Sequence, residues 1–519
     1  MASVVRVHKE EIMARFGGMG FHNTEANLYR KMSDRQFNEV VGKVFAELSP
    51  SFSRMWGGFP TWTKEEMDDF AEYCEKTHCK AGTTIYLTGR TVRYHTEEEL
   101  NEYAKNVADR LEYLIVEKGI KNIQIYCMSN ELSLDDWGDL NFEMATFKRY
   151  HTHLYNEFRK RGLPVKLLAT DASPMERWET IEWAIANGMV PISGVFGGHH
   201  YVNDFEPEDL EFYKIFWSHC YDVVQMLKPH ERSFILGEFG LAQMFKQGFR
   251  TINGVKMDVC HAFFNGKEAY SALQVVEMAL AAMNAGVYAT ALWTFTDIPN
   301  PDGLAARLNK WGLTRWDGED YSARDWLYAY GLLVKYLKYN GKPFTIKSDD
   351  FLLRSGGVIN DDGSFSVAIV NRHKEETEIE VVLDNFKADK KVRLYLYDSA
   401  NVPRSEFAEL QEPSALLCAC DGTVKFTVPG SSIVMLTTDY TDAKPAAVTG
   451  VKVENGTVTW DESADASHVY YRVYKGESAD FVPSKENQIA STIATKCAAT
   501  DGEGFYKVCS VNRSGNISE

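Results

Sequence analysis

From residue 17 to residue 297 the chain repeats one pattern. Short apolar runs alternate with longer amphipathic stretches whose apolar residues recur every three to four positions. The runs predict strands at 17–23 (GGMGFHN), 51–56 (SFSRMW), 81–88 (AGTTIYLT), 123–128 (IQIYCM), 165–171 (VKLLATD), 192–201 (ISGVFGGHHY), 233–240 (SFILGEFG) and 288–297 (YATALWTFTD). The amphipathic stretches predict helices such as 97–119 and 270–286. The second of these places Leu273, Val276, Leu280 and Met283 on one face and stops at Gly286. Eight strand–helix units predict an α/β fold, a (β/α)8 TIM barrel over residues 1–340, in preference to a doubly wound open sheet.

A long helical stretch, 326–343, then gives way to period-two alternation around the turn Asp361-Asp362-Gly363, which predicts an antiparallel β-sandwich over 341–442. Pro445 and small residues mark a linker. The segment 443–519 carries short strands, Trp460 on an early one and a YRVY strand later, and so resembles a fibronectin type III module. That resemblance implies a second small β-sandwich serving as a spacer or docking module.

Composition narrows the function classes. A length of 519 residues fits two or three domains, and 45% hydrophobic with 25% charged residues is globular. A net charge of −17 argues against nucleic acid and against anionic membranes as partners. No apolar run reaches the roughly 18 residues of a membrane span. The opening residues lack a signal-peptide core, so the chain reads either as secreted or cell-surface with its signal removed, or as cytoplasmic. The nine cysteines are scattered without paired CxxC elements, which disfavours structural zinc; Cys418 and Cys420 share one face of a strand-like run. No cofactor is expected, and the sequence sets no oligomeric state.

In such a barrel, side chains at the C-terminal strand ends converge on one mouth. Arg54 ends the second strand, Asn130 and Glu131 follow the fourth, His199 and Tyr201 end the sixth, Glu238 the seventh and Trp293 the eighth. Two carboxylates on opposite walls, with basic and aromatic neighbours, are what glycosidic bond cleavage needs. One donates a proton to the leaving oxygen while the other meets the oxocarbenium-like centre.

These residues resemble glycoside hydrolase clan A: SNE after strand four, LGEFG on strand seven, Arg at strand two, His-x-Tyr at strand six and Trp at strand eight. The barrel followed by a β-sandwich resembles the family 39 branch of xylosidases, iduronidases and related glycanases. The resemblance implies a retaining double displacement on a β-linked poly- or oligosaccharide, with Glu131 as acid/base and Glu238 as nucleophile. Glu131 should then have a raised pKa and Glu238 should be ionised beside Arg54. Tyr201 would fix the Glu238 rotamer, Asn130 would reach the sugar 2-hydroxyl, and Trp293 would floor the sugar.

Trp56, Trp62, Trp137 and Trp178 follow strands two, four and five and are read as either sugar platforms or loop packing. His22, Asn23 and Gln243 are further candidates for sugar contact. His200, one residue out of phase with Tyr201, is sent to the opposite face. The His-x-His of His151 and His153 falls in a helical stretch, where residues two apart diverge, and the acidic run 64–76 reads as a solvated helix face. The competing function class is a non-catalytic carbohydrate-binding or scaffold protein on the same barrel.

Overall fold

The structure, a computed structural model, describes all residues except 1, 24–25, 56–58, 80–81, 90–95, 132–139, 204–209, 243–246, 253–254, 261–267, 301–306, 310–311, 316–322, 385–390 and 500–503. Eight strands close into a parallel barrel: β1 (Gly18–His22), β2 (Phe52–Met55), β3 (Thr84–Thr88), β4 (Ile123–Cys127), β5 (Lys166–Ala172), β6 (Val195–Val202), β7 (Phe234–Leu241) and β8 (Ala289–Leu292). Five lie inside a run that the apolar pattern marks, β5, β6 and β7 each end one residue past theirs, and β8 pairs with both β7 and β1 to complete the ring. The strands read as near-continuous apolar runs because both faces are covered. Phe52, Tyr86, Ile125, Leu168, Val195, Ile235 and Ala291 fill the interior, while Leu236, Phe239 and Leu292 pack outward against the helices.

Two β-bulges break the alternation where it matters most. On β5, pairing with β6 slips between Thr170 and Ala172, and both Thr170 (φ 76°) and Asp171 (φ 56°) adopt left-handed backbone. On β7, Gly198 pairs with Leu236 but His199 pairs with Glu238, so Gly237 is the extra residue. Each bulge reverses the side-chain parity beyond it, turning Asp171 and Glu238 into the barrel mouth.

The expected sandwich follows the barrel as a nine-stranded sheet that is antiparallel apart from one pairing and includes Lys342–Ser348, Leu353–Ile359, Phe365–Asn371, Thr377–Leu383 and Ser432–Thr437. It also takes a strand from the front of the chain. Ser3–Glu11 runs antiparallel to Lys342–Ser348 and parallel to Thr377–Leu383, with Val5 and Val7 buried beside Phe344, Val367 and Val381. A boundary at residue 340 assigns this strand to the barrel; its hydrogen bonds place it in the sandwich. Cys418 and Cys420 are both exposed and lie beyond the end of the strand Ala415–Leu417.

The last segment forms two three-stranded antiparallel sheets around Val458, Trp460, Tyr471, Val473 and Val508. It is fastened to the rest of the protein rather than strung from it. Arg472 pairs with Glu409 at 2.7 Å, with side-chain exposures of 10% and 8%. Lys43, wholly buried on the barrel helix Gly42–Leu48, stands 5.5 Å from the centre of the Tyr470 ring, and Ile493 N–H donates to the Asn38 carbonyl. Removing one partner of a buried pair strands the other charge. Arg472→Ala is therefore expected to cost about 3 kcal/mol or more. Denaturant unfolding followed separately by barrel and end-module probes should show both losing stability together; an unchanged barrel midpoint refutes this coupling. Among the described residues no helix is long and apolar enough to cross a membrane.

Candidate active site

Arg54 is the hub of the mouth. Alternation from the interior residue Phe52 points it inward from β2, and it is fully buried over the Tyr86 ring, 5.3 Å from the centroid. Its Nη1 donates to His22 Nδ1 (2.8 Å) and to Glu238 Oε1; its Nη2 donates to Asn130 Oδ1 (2.7 Å) and Asp171 Oδ2 (2.9 Å). Burial opposes its charge, but Asp171 and Glu238 more than restore it, and the guanidinium stays charged.

Glu238 is 4% exposed. Its second oxygen accepts a 2.6 Å hydrogen bond from Tyr201 Oη, a phenol that burial and the neighbouring carboxylates keep protonated. Glu131 sits just past β4 in left-handed backbone (φ 52°), with its side chain 19% exposed. His199 lies between them, its Nδ1 3.4 Å from Glu131 Oε1 and 3.7 Å from Glu238 Oε2, and its Nε2 3.1 Å from Asp171 Oδ1. One donor atom each from Glu131, His199 and Glu238 fall within 4.8 Å of one another, so the two glutamates face each other across one gap.

The electrostatics differ from the expectation in one respect. Burial pushes the Glu238 carboxyl up, against the pull of His199 and Arg54. Glu131 is shifted down: burial raises it, but the His199 hydrogen bond and charge outweigh that. The sequence reading assigns the raised value to Glu131, because it takes no account of the imidazolium beside it. His199 itself is raised to about 10, burial opposing and Asp171 and Glu238 prevailing, while Asp171 is lowered to about 2 against its own burial by His199 and Arg54. His22 is held neutral by burial and by Arg54, so its Nδ1 can accept. The raised His199 favours a protonated ring between the two carboxylates.

Linkage follows from these shifts. His199 contributes stability that is complete below its ordinary 6.5 and is lost as pH rises towards about 10. Thermal melts are expected to fall across that alkaline window in the wild type and to flatten in His199→Gln. Equal slopes in the two proteins would contradict the assignment.

The other candidates divide. Trp293 (5% exposed) lies at the mouth, its ring 4.4 Å from that of His22. Asn23 donates to Tyr73 Oη (2.6 Å) in the barrel wall, away from the gap. Trp62 is core, edge-on to Phe59, and Trp178 covers Gly198 from outside the barrel while donating to Ala172 O. His200 faces outward against Phe216 and accepts from Met175 N–H. His151 binds Ser193 and Ile192, whereas His153 binds Asn101 and Glu97, so the two do not converge. Trp56, Trp137 and Gln243 lie outside the described residues. Asp171 is a side chain of this cluster that the sequence reading omits. The available signal was a carboxylate at the end of the fifth strand.

No family model and no curated protein matches the chain. Solved structures share its fold. A bacterial orthologue of human α-L-iduronidase aligns with a TM-score of 0.60 at 14% identity, over 100% of this chain and 98% of its own. A glycoside hydrolase family 30 endoxylanase from Clostridium papyrosolvens gives 0.57 at 12%, covering 84% and 99%. An endo-β1,6-glucanase gives 0.58 at 13%, covering 83% and 93%. The chain therefore has the barrel-plus-sandwich architecture seen in these glycoside hydrolases.

Proposed function

We propose that the protein is a retaining glycoside hydrolase acting on a β-linked poly- or oligosaccharide. The observation that carries this is the opposition of Glu131 and Glu238 within 4.8 Å, donor atom to donor atom. That spacing suits the separation of about 5 to 5.5 Å between carboxyl groups at which one acts as nucleophile, and it leaves no room for the water of an inverting reaction. Glu238, fixed by Arg54 and Tyr201, attacks C1 while Glu131 protonates the leaving oxygen; water, deprotonated by Glu131, then releases the sugar. Two cations, Arg54 and His199, stand against three carboxylates, Asp171, Glu131 and Glu238. The residual negative charge favours a transition state with positive charge at C1. Arg54 occupies the Asn130 amide oxygen, so the amide NH2 is the group that meets the sugar 2-hydroxyl. Trp293 supplies an apolar floor.

The test is a panel of 4-nitrophenyl β-glycosides and polysaccharides, with the anomer of the first-formed product read by proton NMR. Retained β-configuration is expected. An α-anomer as first product overturns the double displacement, and inertness across the panel favours a binding protein on this barrel.

A further inference from the structure

The general acid of this reaction must carry a proton when C1–O breaks, yet the empty site holds Glu131 in its ionised form. The proton nearest to it is on His199 Nδ1, 3.4 Å away. We propose that Asp171 is a positioning residue acting through His199, and that this pair loads Glu131 with its proton and recovers it after each turnover. This rests on the reading of Glu131 as acid/base.

The geometry is specific. Asp171 divides its oxygens: Oδ2 takes Arg54, so Oδ1 is reserved for His199 Nε2. Holding Nε2–H on a carboxylate fixes the tautomer and makes Nδ1 the exchanging nitrogen. Facing Nδ1 are Glu131 and Glu238, but both Glu238 oxygens are engaged, one by Arg54 and one by Tyr201, and Glu131 is the closer group. Arg54 adds positive charge beside the ring. Two local features serve this arrangement. The left-handed bulge at Thr170 and Asp171 turns the aspartate inward. A β-carbon at Gly237 would stand 3.2 Å from Asp171 Oδ1 and 3.2 Å from His199 Nε2, so glycine there leaves space for their contact.

The cycle balances. As sugar displaces water from the gap, Glu131 is desolvated and takes the Nδ1 proton, leaving neutral His199 with Nε2–H on Asp171. Glu131 passes that proton to the glycosidic oxygen as C1–O breaks and Glu238 bonds to C1. In the second half, water adds to C1 as Glu238 departs, and its proton goes to Glu131 and back to Nδ1. One water enters, the alcohol and the free sugar leave, and no net proton is gained or lost.

Nitrogen-15 histidine NMR tests the pair without reference to turnover, with His199→Asn assigning the signal. His199 is expected to remain imidazolium through pH 8 in the wild type and to be neutral at pH 8 in D171N. Unchanged titration overturns the proposal. In kinetics, D171N is expected to lose about 100-fold in kcat/KM on a glycoside with a poor leaving group, and less than about threefold on the 2,4-dinitrophenyl glycoside, which needs no acid. The alkaline limb of its pH profile should move to lower pH. Equal losses on both substrates with an unmoved limb make Asp171 only a brace and refute the relay. If D171N does not fold, Gly237→Ala crowds the same contact without removing a charge and should show the same leaving-group dependence. Wild type inert on every glycoside, with the NMR shift present, would fault the glycosidase reading instead of the pair.

Discussion

Glu238→Ala is expected to lower turnover by roughly five orders of magnitude, and added azide is expected to restore a reaction that yields the α-glycosyl azide. The expectation rests on the proposed bond from Glu238 to C1, for which the carboxylate is held by Arg54 at one oxygen and Tyr201 at the other. Alanine leaves a space that azide fills from the same direction, so the configuration inverts once and not twice. Steady-state rates with the product anomer read by NMR decide the matter. Residual activity within tenfold of wild type would remove Glu238 from the chemistry.

Arg54→Met is expected to be the most damaging single change to the site as a whole. The guanidinium joins His22, Asn130, Asp171 and Glu238, and it is fully buried. Methionine keeps much of the volume but strands two buried carboxylates, a loss of about 3–5 kcal/mol. It also removes the donor that orients the proposed nucleophile, for which roughly 1,000-fold in kcat is expected. The two effects separate experimentally, because chemical denaturation reads the first and initial rates well below the melting temperature read the second. A variant as stable as wild type would show that Asp171 and Glu238 take up protons once the arginine is gone, which an acid-shifted rate profile would confirm.

The barrel was legible because each of its strands is a discrete apolar run between amphipathic helices, and the runs at β1 to β8 bracket the observed strands within a few residues. His199 and Tyr201 were legible for the same reason, sharing parity with the interior residue Val195. Asp171 was not. Counting from interior Leu168, strict alternation sends position 171 outward, and only the bulge at Thr170 reverses it. Glu238 has the same difficulty from Ile235, and it was legible as the polar residue near the end of the seventh run and through the resemblance carried by LGEFG. The inverted pKa order of the glutamates was hidden because it depends on where one imidazole sits in space. Trp62 and Trp178 show the converse: aromatic residues after strands suit sugar platforms and core packing equally, until the helices close over them.

The strand at Ser3–Glu11 carries a temporal consequence. Val5 is hydrogen-bonded in register with Ser348, so this strand pairs with a partner made more than three hundred residues later. At about 5 to 20 residues per second, that interval is of the order of a minute. Throughout it, a β-branched edge with Val5 and Val7 on one side stays unpartnered while the barrel assembles beside it. The nascent chain is thus prone to mispairing at this strand until the second domain captures it.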